Sequence, residues 1–329
     1  MKEMTVEQIA SILSSLAGVK ENEPMDTHTS FRVGGPARLY FVANSSDEIL
    51  HAMKVADEVG ATWSIFGGGS NLLVSDEGYN GLLIQAANRN VDISGNIIKA
   101  EAGAITAMVS RKSVEDGLTG FEWASGIPGT MGGAVFGNSG CFGGEMKDAV
   151  TKVDAYNISK GERVLLSNEE CAFGYRDSIF KHEPHVILGC ELKLDESPDV
   201  EESKRRMMDV IEKRKESQPL GKSSCGCIFK NYDFQDASEL EILKRQIDEI
   251  PEVMLTNKRL AAGWLVDQVG MRGQRIGNIQ VSEKHGNFFE NHEKARAQDI
   301  IALISLVKMK VRDELGIELH EEVQLLGFE

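Results

Sequence analysis

The chain has 329 residues, with 6% aromatic and 41% hydrophobic residues, and 33 glycines, where an average usage of about 7% gives roughly 23. Its formal charge is −15, made of −7 over residues 1–160 (12 basic, 19 acidic) and −8 over residues 161–329 (24 basic, 32 acidic), so there is no basic half to hold nucleic acid phosphates. Nothing approaches about 18 consecutive apolar residues, and Glu3 and Glu7 interrupt the N-terminus where a signal peptide needs an apolar run; no membrane insertion, no nucleic acid partner and a cytoplasmic location are expected.

In chain order, Ile9, Ile12, Leu13 and Leu16 share one helical face over residues 5–17, and Leu39 to Ala43 read as a strand. Ser46-Asp47-Glu48 starts a helix that runs toward Gly60. Thr62 to Phe66 is a short β-type run that stops at Gly67-Gly68-Gly69-Ser70-Asn71. From Leu82 to Gly103 further β-rich runs alternate with turn residues, and a helix follows from Thr106 to Asp116. Val150 to Leu166, turning at Gly161, and Val186 to Leu194 read as strands, and the charged segment 196–216 reads as a surface helix. The last unit closes with a helix from Asp299 to Leu315 that buries Ile300, Ile301, Ile304, Leu306, Val307 and Val311. The pattern is that of an α+β protein of two or three subdomains. The five cysteines, at 141, 171, 190, 225 and 227, have neither metal-ligand nor CxxC spacing; no metal site is expected, and each thiol is by default a small buried apolar group.

Two glycine clusters stand out. Gly67 to Asn71 follows a strand, where residues without Cβ can aim several N–H groups at one anion; it is neither a Walker A loop nor GxGxxG, and a phosphate site or a tight turn are both open. The second spans residues 117–144 and holds ten glycines, interleaved with Trp123, Ile127, Pro128, Met131, Val135 and Phe136. Those side chains want burial, which argues against a linker and for backbone packed closely on a flat or extended ligand.

Several motifs in order carry a resemblance to a known family: Ser30-Phe31-Arg32-Val33-Gly34-Gly35-Pro36-Ala37, the Gly67 to Asn71 loop, Ser125 to Ala134, Tyr175-Arg176-Asp177-Ser178, Gly226-Cys227-Ile228-Phe229-Lys230-Asn231, Ile276-Gly277 with Val281 to His285, and Leu319 to Val323. Together they resemble the UDP-N-acetylenolpyruvoylglucosamine reductases over nearly the whole chain, in the type without a tyrosine-bearing insertion. The resemblance implies an FAD-binding fold of the vanillyl-alcohol-oxidase (PCMH) type over residues 21–216, in two subdomains split near residue 80, after an N-terminal helix (1–20). A UDP-sugar-binding α+β domain would cover 217–329, with an insertion at about 232–261. It implies an FAD enzyme in which NADPH reduces the flavin, with UDP-N-acetylglucosamine enolpyruvate as the substrate reduced to UDP-N-acetylmuramate in peptidoglycan precursor synthesis; a monomer is expected. A flavin-binding protein without the reaction and an oxidase of the same superfamily are the alternatives.

The resemblance also assigns residues. Gly67, Gly68, Gly69, Ser70 and Asn71 would hold the pyrophosphate, and Ser125, Gly126, Ile127, Pro128, Gly129, Thr130, Gly132 and Gly133 would line the flavin. Arg176, Cys227 and Glu322 fall where the family keeps its catalytic groups. Hydride arriving at C3 of an enolpyruvyl group pushes charge onto C2 and its carboxylate, so a permanent cation suits that place. Most of the family has serine where Cys227 stands, as the acid that protonates C2; a thiol is the more acidic donor. Glu322 would stabilise the same charge, with Glu321 as its competitor. Tyr175, Lys215, Lys230, Asn231 and His285 would contact the UDP-sugar. If Cys225 and Cys227 lie in a strand, both thiols face one side. Finally, about thirty residues from Tyr232 to Ala261 have no counterpart in the resemblance; Leu240, Leu243, Ile247 and Ile250 give them a helical stripe, read as a surface helix packed on the last domain or as a lid.

Overall fold

The computed structural model describes residues 4–234, 247 and 249–328. The chain forms two compact units, one of residues 1–23, 37–69 and 79–216, the other of residues 24–36, 70–78 and 217–329.

The first unit is built on a four-stranded and a five-stranded sheet. One has the strand order Lys20–Pro24, Pro36–Ala43, Tyr79–Ala86, Trp63–Phe66, with the last three parallel. A parallel pair needs a crossover, and helix Ser46–Glu58 supplies it, with the Ser45 hydroxyl accepting from Glu48 N as its N-cap. Helix Val6–Ser15 starts in a Thr5/Gln8 capping box and buries Ile9 and Ile12 in the same core as Leu39, Phe41, Leu82 and Ile84. The other sheet is antiparallel, in the order Glu162–Ser167, Val150–Asn157, His185–Lys193, Ile97–Glu101, Val91–Ser94. Its core joins Ile98, Val153 and Leu192 to Phe121, Trp123, Ile127, Met131 and Val135, so most of the apolar residues named in the glycine-rich stretch are buried, while Phe136 is partly buried and Pro128 exposed. Helix Val200–Ser217 carries the charge expected of a surface helix and buries only Ser203 and Val210.

The second unit is organised on helix Ala297–Leu315, which buries Ile300, Leu303, Ile304, Val307, Val311 and Leu315, while Ile301 and Leu306 are only partly buried. Gly316 ends it at φ 69°, a left-handed C-cap that glycine adopts without a steric penalty. At its start the Asp76 carboxylate accepts from Ala297 N (2.7 Å) and Gln298 N (3.0 Å). Asp76 belongs to one of two early segments, Pro24–Pro36 and Ser70–Gly78, that pack with this unit although a linear division places them in the FAD-binding domain. The reason is core burial: Phe31, Val33 and Leu73 insert among Ile228, Phe229, Leu265 and Val307, and Leu72–Val74 pairs in parallel with Gln324–Leu326. Of the stretch 232–261, Tyr232–Asp233 pairs with Arg259–Leu260, and Phe234, Ile247 and Ile250 are buried in the unit's core. Leu240 and Leu243 lie outside the described residues.

Candidate active site

Strand Trp63–Phe66 runs directly into Gly67-Gly68-Gly69, with Gly69 at φ 61°. The second glycine segment leaves a short 3-10 turn at Glu122–Gly126 and re-enters structure as helix Met131–Phe136. Backbone bonds fix its path: Thr106 N donates to Gly129 O (3.1 Å), Met131 N to Ala104 O (2.8 Å) and Gly132 N to Ala102 O (2.8 Å). The two segments meet. A Cβ built on Gly67 would lie 2.1 Å from Thr130 Oγ1, and one on Gly68 would lie 3.0 Å from Gly129 Cα. Such an approach is open only to glycine.

Much of the glycine excess nevertheless answers to protein packing rather than to a ligand. A Cβ on Gly132 would meet Ala102 Cβ at 2.9 Å, one on Gly144 the Trp123 ring at 2.3 Å, and one on Gly126 the Arg214 Cδ at 2.2 Å. Gly133 differs: it is exposed, and its nearest neighbour is Thr130 Oγ1 at 3.7 Å. The paired segments fit what FAD requires, since backbone approaches backbone with an exposed glycine beside it, and neither segment carries an acidic side chain to oppose a pyrophosphate. Pro128 is exposed, Ile127 is buried, and the Ser125 hydroxyl donates to Met207 O (3.4 Å). In the second unit, Ser70 O accepts from the Ser30 hydroxyl (3.3 Å), and the Asn71 side-chain amide donates to the Glu322 carbonyl (3.1 Å).

Arg176 is set by a tight turn in the first unit. Gly174 and Asp177 exchange two backbone hydrogen bonds, at 3.0 and 3.3 Å, leaving Tyr175 and Arg176 as the two-residue tip. Arg176 sits at φ 53°, uncommon for a residue with a Cβ. Its Nη2 donates to Gly140 O (2.8 Å) and its Nη1 to Asn138 O (3.5 Å), and the guanidinium carbon lies 5.3 Å from the Tyr175 ring centroid.

A second arginine, which the sequence reading passes over, works nearby. Arg214 covers Gly126, and the Cys141 thiol beside it donates to Trp123 O (3.2 Å). Burial pushes that thiol's pKa up while Arg214 and Arg176 oppose the rise, so both guanidinium groups are felt at Cys141. Lys215, the basic residue selected from the sequence, is exposed and paired with Glu212 at 2.7 Å. The signal was available: Ser203, Met207, Val210 and Arg214 form an i, i+4, i+7, i+11 stripe on the half-buried face of that helix, and Lys215 is about 100° away from it.

The second unit assembles Cys227 and Glu322. Cys227 bridges Phe288, Ile228 N donates to Asn287 O (2.9 Å), and Glu322 N donates to Ile228 O (2.8 Å). Lys230 N donates to His320 O (2.8 Å). Segment 227–230 thus runs between 285–289 and 319–323, and the Asn287 side chain locks it by accepting from Phe229 N and donating to Phe229 O, both at 2.8 Å. Cys227 is half-buried and Cys225 is 3% exposed, with burial pushing the Cys225 thiol far above its ordinary range. Gly226 between them lies at φ 83°, so the pair does not sit in a strand and the condition for both thiols to face one side is not met; none of the five cysteines is in a disulfide. Glu321, the competitor of Glu322, is paired with Lys308 at 2.9 Å. Asn231 Oδ1 accepts from Ala262 N (3.0 Å), capping a helix whose own N-cap residue makes no side-chain bond. His285 stacks edge-on with Phe288 at 4.9 Å and lies against Gly263; burial lowers its pKa, which keeps the ring neutral near pH 7.

Family models match stretches of both units. A model of the FAD binding domain matches residues 37–167, and a model of the UDP-N-acetylenolpyruvoylglucosamine reductase C-terminal domain matches residues 218–326. A UDP-N-acetylenolpyruvoylglucosamine reductase of Caldanaerobacter subterraneus subsp. tengcongensis is 35% identical over 328 residues, 99% of each chain. The chain belongs to the UDP-N-acetylenolpyruvoylglucosamine reductase family. Another reductase of that name, from Clostridioides difficile, is 36% identical over 311 residues, covering 94% of this chain and 93% of its own. The crystal structure of the reductase from Thermus caldophilus superposes with a TM-score of 0.72 at 32% identity, covering 94% of this chain and 98% of the other. Among the described residues, no helix is long and apolar enough to cross a membrane.

Proposed function

We propose that this reductase, like the relatives that carry the name, uses NADPH and FAD to reduce the enolpyruvyl ether of UDP-N-acetylglucosamine enolpyruvate to UDP-N-acetylmuramate, acting as a cytoplasmic monomer. Bound FAD supplies the two-electron chemistry, and the paired segments 67–69 and 125–133 would hold it. The remaining work falls to side chains. As negative charge develops on C2 and the carboxylate of the enolpyruvyl group, Arg176 grips the carboxylate with a permanently charged fork, and Arg214 adds a second local cation in a chain whose net charge repels anionic ligands. Cys227 gives its proton to C2 and is reprotonated before the next turnover. Glu322 completes the stabilisation of that charge, Asn231 and Lys230 contact the UDP-sugar, and neutral His285 serves as a hydrogen-bonding partner.

The observation that most supports this reading is the bond from Glu322 N to Ile228 O, which sets the proposed acid and the proposed carboxyl on neighbouring segments of one unit. The test is anaerobic: the yellow protein is reduced with NADPH, then given UDP-N-acetylglucosamine enolpyruvate. The flavin absorbance should return within one turnover and UDP-N-acetylmuramate should form. A flavin that stays reduced until air is admitted, and is then rapidly reoxidised, would instead mark an oxidase.

A further inference from the structure

We infer that Asn138 is the positioning residue for Arg176, acting through one buried side chain that fixes both the base of the turn carrying the arginine and the carbonyls that seat its guanidinium. The inference rests on the proposed role of Arg176.

Asn138 is 0% exposed and stands at φ 41°, a left-handed conformation that asparagine tolerates better than most residues with a Cβ. Its side chain makes three hydrogen bonds in two directions. Nδ2 donates to Gly174 O (2.7 Å), the first residue of the Arg176 turn, and to Glu145 Oε2 (2.9 Å), while Oδ1 accepts from Lys147 N (3.0 Å). The last two close the loop 138–147 on itself, and that loop contains the two carbonyls, Asn138 O and Gly140 O, that accept from Arg176. Seat and turn are therefore referenced to the same amide group. A guanidinium fork held by two main-chain carbonyls has a fixed direction only if those carbonyls are fixed.

Residue chemistry narrows the choice at this position. Leucine keeps the volume but strands Lys147 N and takes one donor from both Gly174 O, which retains Asp177 N (3.3 Å), and the Glu145 carboxylate, which retains Lys147 Nζ (3.0 Å). Aspartate could still accept from Lys147 N, yet it cannot donate and would set a second carboxylate against Glu145. Only an amide at this φ serves both directions. The same turn is braced elsewhere, by Ser178 Oγ donating to Phe136 O (2.7 Å) and by Lys181 Nζ donating to Arg176 O (2.7 Å). Removing Asn138 should thus loosen the aim of Arg176 without dissolving the turn.

The experiment is a double-mutant cycle on the full-length holoenzyme, with Asn138→Gly, which keeps the backbone conformation, Asn138→Asp as a second variant that also tolerates it, Arg176→Ala, and the combinations. Stopped-flow separates flavin reduction by NADPH from reoxidation by the UDP-sugar. A misplacement of about 1 Å costs on the order of 10²-fold, so both Asn138 variants should slow reoxidation by roughly 10- to 100-fold and leave reduction within about twofold of the parent. Placed on Arg176→Ala, either Asn138 substitution should add nothing further. Equal slowing in the parent and in the Arg176→Ala background would overturn the inference, as would a parental reoxidation rate in both Asn138 variants. A parental rate in Arg176→Ala itself would remove Arg176 from the reaction, a separate failure that takes the positioning role with it.

Discussion

The glycine segments of the first unit and the 227–231 region of the second serve the proposed reaction in opposite ways. In the first, Gly68 and Gly129 bring main chain against main chain and Gly67 admits the Thr130 side chain, so the fit depends on missing side chains. In the second, Cys227, Lys230, Asn231 and Glu322 each carry a functional group, and the places of Cys227, Lys230 and Glu322 depend on backbone pairing between segment 227–230 and segments about 60 and 90 residues further along the chain. A surface made by deletion shows in composition. A surface made by register between distant segments does not.

Two adjacent glycines give the sharpest way to test the first half of that contrast. Gly132→Ala forces a Cβ to 2.9 Å from Ala102 Cβ and should destabilise the protein by about 1–3 kcal/mol, as overpacking does. That would appear as roughly 2–4 °C of melting temperature per kcal/mol. Gly133→Ala meets nothing nearer than 3.7 Å and lies in a helix, where alanine is preferred to glycine by up to about 1 kcal/mol. The apoprotein should be unchanged or slightly stabilised, while FAD affinity, read by fluorescence titration, falls tenfold or more if the cofactor packs there. Parental FAD affinity in Gly133→Ala would break the assignment of that segment to the cofactor.

A smaller effect concerns the second unit. Burial lowers the pKa of His285 below its ordinary 6.5, so near and below that pH the unfolded chain takes up a proton that the folded ring resists. The stabilisation is therefore present above about pH 6.5 and is lost as pH falls below it. The urea midpoint of His285→Gln should decline less steeply from pH 7.5 to 5.5 than that of the parent; parallel declines would mean that His285 is not the buried titrating group.

How far the sequence carries the reader follows the same division. Elements with strong local patterns, such as the helix ending in Gly316 and the strands on either side of Gly161, lie close to where periodicity and turn residues place them. The two glycine segments stand out in the composition, but composition could not separate Gly133 from Gly132 or Gly144, whose neighbours come from Ala102 and Trp123. Arg214 was readable from the helical stripe through Ser203 and Val210, yet Lys215, one residue away, has the same charge and no mark against it. Strand phase failed at Cys225 and Cys227 because Gly226 takes a backbone conformation that alternation ignores. The membership of Phe31, Val33 and Leu73 in the second unit's core depends on partners more than 150 residues away, beyond any local window. Asn138 gave no sequence signal at all, since a buried amide at positive φ has the same letter as a surface one.

The central claim is that Cys227 in the second unit performs the proton transfer while the first unit supplies the cofactor surface. The most direct measurement compares the two half-reactions of Cys227→Ala with those of the parent under anaerobic conditions. Flavin reduction by NADPH should stay within about twofold of the parent, and reoxidation by the UDP-sugar should slow by roughly 10²- to 10⁴-fold, the range for removal of a general acid. Equal reoxidation rates in the variant and the parent would contradict the account.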